Sequence, residues 1–236
     1  VFVSLLFEQH RPEPVSRGKR KWLRFVIHEL VFQRHGPFEG GHGLLRLSGR
    51  SMNLAFQNVR HDAEDVLRIV RDSFGAWENV TTSDLKFVDE GTGSFTKSVS
   101  DRRNVILYDP TGFDIGAPRG SGVIAITTIN WDTFGNITDT DIIFNGRDFR
   151  FASGSEGWRD NGNLINLKDV AIHEIGHLLG LEHTPLDGPP ETRPTMNPFN
   201  RGDGPGEGHS LEPDDIAGIS ILYPASGYQA SIGSIS

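Results

Sequence analysis

Residues 173–183 read His-Glu-Ile-Gly-His-Leu-Leu-Gly-Leu-Glu-His, and this stretch constrains the fold more than any other part of the 236-residue chain. His173 and His177 are four residues apart, so on an α-helix their side chains project from one face. Two imidazoles in that arrangement can supply two ligands of a zinc ion, and Glu174 beside them is placed to take a proton from a water on the metal. The stretch therefore predicts a helix that carries a zinc centre.

His183 is the third candidate ligand, and it requires a break in the helix. Continued helix would rotate His183 about 240° away from His177, onto the wrong side. Gly180 lies between them, and glycine tolerates the left-handed conformation that ends many helices. The alternative is a core helix with incidental histidines, and a core-facing apolar stripe is present: Ile172, Ile175, Leu178 and Leu179. Packing alone gains nothing from three histidines at this spacing, so we expect a packed helix that also holds zinc.

The histidine pattern resembles the signature of the metzincin clan of zinc endopeptidases, H-E-x-x-H-x-x-G-x-x-H followed by a methionine turn. Thr195-Met196-Asn197-Pro198 is similar to that turn, with its methionine thirteen residues past His183. The resemblance implies that Met196 lies beneath the metal without ligating it. The alternative for Met196 is simple core filler.

Within the clan, the chain most resembles the matrixins, over about residues 51–224. Residues 65–77, 122–125 and 211–223 are similar to the matrixin first helix, cleft-bordering strand and C-terminal helix, respectively. Asn197 follows the methionine where the astacin branch has a tyrosine motif, which argues against that branch. The chain is therefore identified as similar to a minimal, bacterial-type matrixin catalytic domain.

The resemblance implies an α+β metzincin (zincin) fold with an α/β-type upper subdomain. Its parts are a twisted, mostly parallel five-stranded sheet with an antiparallel edge strand at the cleft, an active-site helix, a methionine turn and a C-terminal helix. The order of elements predicted from the residues alone is compatible with this fold class. A helix starting at Asp62 is followed by strand-like runs and Gly/Pro/Asp-rich turns. The predicted strands are 54–57, 85–88, 104–108, 123–129 and 140–144. Asn166 is predicted to cap the active-site helix, with Asp169 in its first turn.

The chain departs from vertebrate matrixins in two respects. Those enzymes hold a second, structural zinc through histidines between the first helix and the active-site helix, whereas no histidine occurs here between His61 and His173. The chain also has no cysteine, so the propeptide cysteine that keeps those enzymes latent is absent. We therefore expect a single, catalytic zinc ion.

The resemblance implies a zinc-dependent endopeptidase. Glu174 would accept a proton from the water on the zinc and pass it to the leaving amine. An extended peptide would lie against a strand edge formed by Gly122, Val123, Ile124 and Ala125. The alternative is a non-catalytic binding or adhesion protein on a metzincin scaffold, suggested by Arg201-Gly-Asp203 in a Gly-rich loop. A scaffold kept only for binding has no need of Glu174, which favours the enzyme.

Several acidic residues have predicted structural roles. Asp214 and Asp215 begin the last predicted helix, where they could simply complement its dipole. The resemblance implies that one of them pairs with a processed N-terminal amine and that the other holds the methionine turn. Calcium is a second candidate cofactor, because six aspartates lie among Gly and Asn in loops: Asp109, Asp114, Asp139, Asp141, Asp148 and Asp160. Solvated turns explain the same composition.

The distribution of charge suggests how the chain is divided into domains, and the net charge indicates which class of partner it does not bind. Residues 1–60 carry a net charge of +6 and residues 61–236 one of −14, counted along the sequence. We divide the chain into a basic N-terminal extension over 1–50, a matrixin-like catalytic domain over 51–224 and a tail over 225–236. The extension could be an inhibitory pro-segment or an inert arm, and 22–27 within it could be a strand. The overall charge of −8 argues against nucleic-acid binding.

The hydropathy of the chain and its resemblance to matrixins bear on its other expected partners and on its location. The longest N-terminal apolar run, residues 1–7, is too short to span a membrane. We expect a monomeric protein that acts on protein or peptide substrates. The resemblance implies that it is secreted.

Overall fold

The computed structural model describes residues 22–28, 63–93, 98, 100–152, 164–186, 188–189, 192–199 and 210–228. Within these residues lie seven strands and three helices. The strands are β1 (Trp22–His28), β2 (Lys86–Gly93), β3 (Val105–Asp109), β4 (Ala125–Trp131), β5 (Ile137–Asn145), β6 (Arg150–Ala152) and β7 (Leu164–Asn166). The helices are α1 (Ala63–Glu78), α2 (Leu167–Leu178) and α3 (Pro213–Leu222). No helix in this part of the chain is long and apolar enough to cross a bilayer.

The first five strands form one sheet in the order β2-β1-β3-β5-β4. β1 runs parallel to β2 and to β3, and β3 runs parallel to β5. β4 lies at the end of this order and pairs antiparallel with β5, with Thr127 opposite Ile142. The described sheet is thus mixed, and together with the helices it is compatible with the expected α+β fold.

The strand predicted over 22–27 is present, but its place in the fold differs from the prediction. β1 pairs with both β2 and β3, so it lies inside the sheet and not in an extension outside it. The division of the chain at residue 50 stays a prediction. The pairing of β1 cannot be read from composition or charge, because it joins segments about 60 or more residues apart in sequence. The first strand predicted over 54–57 lies outside the described residues.

Helix α1 packs on α2 and supports it from one side. Its apolar residues recur at helical spacing and are buried: Val66, Ile69, Val70, Phe74 and Trp77. Trp77 is fully buried, and its indole Nε1 donates a hydrogen bond of 2.9 Å to the backbone carbonyl of Ile172 in α2. The predicted cap of α1, Asp62, lies outside the described residues.

Helix α2 begins as the sequence predicts. Asn166 has an extended backbone conformation, and its side-chain oxygen accepts hydrogen bonds from the backbone N–H groups of Lys168 (2.9 Å) and Asp169 (3.4 Å). The predicted core-facing stripe of α2 is buried: Ile172, Ile175, Leu178 and Leu179 are each at most 1% exposed. The helix is thus fixed at its start and along one side, leaving the opposite face for the site.

Candidate metal centre

The end of α2 turns the chain back towards the histidines on the helix. Gly180 has φ +92°, the left-handed conformation that favours glycine. Its N–H donates to the carbonyl of His177 (2.8 Å), and the N–H of Leu181 donates to the carbonyl of Gly176 (3.0 Å). These two bonds form a Schellman motif, a common helix ending. The break predicted at Gly180 is therefore present, and it brings His183 next to the helix.

Three imidazole nitrogens converge beyond this turn. The Nε2 atoms of His173 and His177 are 3.1 Å apart, those of His177 and His183 also 3.1 Å, and those of His173 and His183 3.2 Å. Zinc–nitrogen bonds of about 2.0–2.1 Å in a tetrahedron place neighbouring ligand nitrogens about 3.3 Å apart. The spacing of the three rings therefore fits one zinc ion.

The far nitrogens of two rings are held by backbone carbonyls. Nδ1 of His173 lies 2.6 Å from the carbonyl oxygen of Thr195, and Nδ1 of His177 lies 2.8 Å from that of Leu181. A carbonyl can only accept, so each Nδ1 carries the proton and each Nε2 presents a lone pair to the centre. Lone pairs converging at this distance repel one another unless a cation lies between them. The donor set thus suits a metal ion.

Burial keeps two of these rings in the neutral form that a metal requires. It lowers the pKa of His177, and the neighbouring His173 acts in the same direction. Burial also lowers the pKa of His183, with a smaller contribution from His177. Neutral imidazoles are available as ligands without first losing a proton.

The methionine turn packs under the histidines against α2. Met196 is 2% exposed, and its carbonyl accepts a hydrogen bond of 3.0 Å from the N–H of Thr184, next to His183. Gly176 is what allows this approach. A Cβ at Gly176 would overlap the Sδ of Met196 and would lie 2.8 Å from Cζ2 of Trp77. The local sequence gives no signal for this role of Gly176, because it depends on two distant side chains.

Asp215 ties the methionine turn to α3. Its buried carboxylate accepts hydrogen bonds from the backbone N–H groups of Thr195 (2.8 Å), Met196 (3.0 Å) and Glu212 (2.8 Å). This is the contact that the resemblance implied for one of the two aspartates. Asp214 is exposed in the first turn of α3.

Glu174 lies between the metal centre and β4. It is 5% exposed, and its Oε2 accepts a hydrogen bond of 2.6 Å from the hydroxyl of Thr127. Burial raises the pKa of Glu174, while His177 and the Thr127 hydrogen bond act in the opposite direction. A desolvated carboxylate beside a metal site is suited to proton transfer.

A cleft of about 740 Å³ runs along β4 and across the three histidines. All four residues of the predicted peptide-binding edge line it: Gly122, Val123, Ile124 and Ala125. The strand itself begins at Ala125, so the first three of these residues precede it. Asn197, Pro198 and Phe199 line the cleft after the methionine turn. Residues 200–209, including Arg201-Gly-Asp203, lie outside the described residues.

A hydrogen-bond network at the end of β5 holds the segment that leads into this edge. Asn145 donates from its side chain to the carbonyl of Val123 (2.7 Å), and Asp148 accepts from the N–H of Gly120 (3.2 Å). Arg147 binds the carboxylate of Asp148 at 3.0 and 2.7 Å and also donates to the carbonyl of Ala117 (3.0 Å). The side chains of Arg147 and Asp148 are only 11% and 10% exposed. This ion pair was not foreseen from the sequence.

Hydrogen bonds within the chain use the carboxylates of several predicted calcium ligands. Asp109 accepts from the backbone N–H groups of four residues, 111, 112, 114 and 115. Asp139 accepts from the N–H groups of 101, 102 and 103, and Asp141 from Ser98 and Val105. In the described part of the chain, the three histidines are the one group of His or acidic residues arranged to hold a metal. Asp160 lies outside that part, and calcium binding stays a prediction.

Comparison with known proteins agrees with the resemblance. Residues 130–224 match the family model described as Matrixin. The chain is 30% identical to matrix metalloproteinase-C of Caenorhabditis elegans over 175 residues, which are 72% of this chain and 27% of that protein. It is 28% identical to the hatching enzyme of Paracentrotus lividus over 201 residues, which are 85% of this chain and 28% of that protein.

A bacterial relative matches a shorter stretch. The chain is 39% identical to karilysin of Tannerella forsythia over 79 residues, 34% of this chain and 14% of that protein. The matched part of each of these relatives is thus less than a third of its length.

Proposed function

This chain carries a matrixin-like domain of the metzincin clan, and we propose that it is a zinc-dependent endopeptidase that cleaves extended polypeptides. At the level of the family, the Matrixin match and the metalloproteinase relatives support a zinc metalloendopeptidase. The observation that carries the proposal for this chain is the convergence of three Nε2 atoms within 3.2 Å of one another, beside a buried glutamate.

The metal ligands are His173, His177 and His183. Three neutral imidazoles would hold the ion without reducing its positive charge. When bound, zinc would act as a Lewis acid that lowers the pKa of a water towards about 7 and polarises a carbonyl group. The hydrogen bonds of His173 and His177 to backbone carbonyls fix the orientation of both rings.

Glu174 is the general base and then the general acid of the reaction. Its carboxylate accepts a proton from the attacking water and later gives it to the amine of the departing peptide. The same carboxylate thus serves both proton transfers, because the proton taken from the water is the one given to the leaving amine.

The substrate lies along the outer edge of β4. β4 ends the order of the described sheet, so one row of its backbone groups faces the cleft and not a neighbouring strand. An extended peptide can add to such an edge through main-chain hydrogen bonds. The residues before the strand, Gly122 to Ile124, continue this edge along the cleft. We further propose that the protein is secreted and acts as a monomer.

The proposal is tested by zinc-dependent cleavage of an internally quenched peptide library. We expect cleavage within the peptides, its loss on treatment with a zinc chelator, and its recovery when zinc is added back. A protein that is folded and loaded with zinc but cleaves no member of the library would contradict the proposed function.

A further inference from the structure

Thr127 contacts the proposed general base from the strand that borders the cleft. Its hydroxyl oxygen lies 2.6 Å from Oε2 of Glu174 and 3.1 Å from the backbone carbonyl oxygen of the same residue. Thr127 is partly buried and lines the cleft, as Glu174 does. This contact joins β4 to α2 across 47 positions of sequence.

The hydroxyl proton is directed to the carboxylate and not to the backbone carbonyl. A hydroxyl carries a single proton, so Thr127 can donate to only one of the two oxygens. The carbonyl of Glu174 is inside α2, where α-helical geometry pairs it with the N–H four residues further on. The shorter distance is to Oε2, and hydrogen bonds to charged oxygens are shorter and stronger than those to neutral ones.

A hydrogen bond to one carboxylate oxygen fixes the other. The terminal torsion of a glutamate side chain is broad, so burial alone does not define the plane of the carboxylate. With Oε2 held by the Thr127 hydroxyl, Oε1 is the carboxylate oxygen left to accept a proton. A carboxylate whose plane is fixed reaches the geometry required for proton transfer more often than one whose terminal torsion is free.

We propose that Thr127 is a positioning residue for the general base, and this rests on the proposed function of Glu174. The neighbouring Thr128 provides the contrast, because successive strand residues point to opposite faces of a sheet. Its hydroxyl lies 3.4 Å from that of Ser98 and 3.5 Å from the carbonyl oxygen of Asp141, on the face away from α2. The two threonines thus differ in the partner of the hydroxyl, while they share residue type and strand.

The test compares T127V, T127S and the control variant T128V with the wild type on one quenched peptide. The kcat, the KM, the zinc content and the melting temperature are measured for each. We expect T127V to lower kcat by about 10-fold to 100-fold at unchanged KM and zinc content, since misplacing a catalytic group acts on the chemical step. T127S keeps the hydroxyl and should retain a kcat close to that of the wild type. T128V should retain it too, whatever its melting temperature.

The outcomes separate this inference from the proposed function. A zinc-loaded wild type without peptidase activity would overturn both. An active wild type with an equally active T127V would overturn the role of Thr127 alone, as would a T127S variant as slow as T127V, because the methyl group would then be what matters. If T127V does not fold, T127A removes the same hydroxyl with less bulk and is judged by the same criteria.

Discussion

The backbone carbonyl oxygen of Thr195 lies 2.6 Å from Nδ1 of His173. The methionine turn therefore orients a proposed zinc ligand directly. The N–H of the same residue, Thr195, donates to Asp215 at the start of α3. A chain of contacts thus runs from the C-terminal helix through the turn to the three histidines.

Replacement of Asp215 by Asn should destabilise the protein and weaken its hold on zinc. The carboxylate accepts three backbone N–H bonds, and an amide has one acceptor oxygen, so buried donors would be left unsatisfied. Each unsatisfied donor costs about 1–3 kcal/mol. Urea unfolding and zinc affinity measure the effect, with D214N, at the exposed neighbouring position, as the control. Equal losses of stability and of zinc affinity in D215N and D214N would contradict the role of Asp215 in holding the methionine turn.

Replacement of Gly176 by Ala should destabilise the protein although alanine favours helices. The added methyl group would overlap Met196 and crowd Trp77, and overpacking of this kind costs about 1–3 kcal/mol. Gly75 in α1 is the matched control, because a Cβ there would have its nearest described neighbour at 3.8 Å. We expect G75A to be neutral or stabilising by up to about 1 kcal/mol. Similar unfolding free energies for the two variants would refute the close packing at Gly176.

The Arg147–Asp148 ion pair after β5 should make stability fall in acid. The Arg147 guanidinium holds the pKa of the Asp148 carboxyl well below its usual range. Since the folded pKa is depressed, the contribution of Asp148 is present above the unfolded value of about 3.9 and is lost as pH falls through the folded pKa. D148N should therefore be less stable than the wild type at pH 7, and the difference should shrink below about pH 4. Denaturant unfolding of both proteins at several pH values tests this prediction. A difference in unfolding free energy between D148N and the wild type that does not change with pH would contradict it.

Removal of residues 1–50 should damage the domain and not activate it. This deletion takes away β1, which lies between β2 and β3 in the sheet. Deletion of residues 1–19 alone leaves β1 in place and should preserve folding. Circular dichroism and the melting temperature of the two truncated proteins decide the point. A stable, active protein beginning at residue 51 would show that the sheet does not need β1.

The local parts of the site were predictable because their determinants are close together in sequence. The helix, its cap at Asn166, its end at Gly180 and the histidine spacing all lie within residues 166–183, and short-range geometry relates them. The contact of Thr127 with Glu174, the space left by Gly176 and the hydrogen bonds of Arg147 and Asp148 to residues 117 and 120 depend instead on the packing of distant segments. Neither periodicity nor motif spacing carries that information. The same holds for the pairing of β1 with β2 and β3, although the strand itself is predictable.

The effect of Glu174→Gln on zinc binding and peptide cleavage, measured on the same sample, decides whether Glu174 is the general base. The amide keeps the shape of the side chain but cannot accept the proton, while the three histidines are unchanged. We predict one tightly held zinc per chain, as in the wild type, and a rate of peptide cleavage lower by several orders of magnitude. A variant that keeps its zinc and also cleaves peptides at the wild-type rate would contradict the role of Glu174 and, with it, the proposed mechanism.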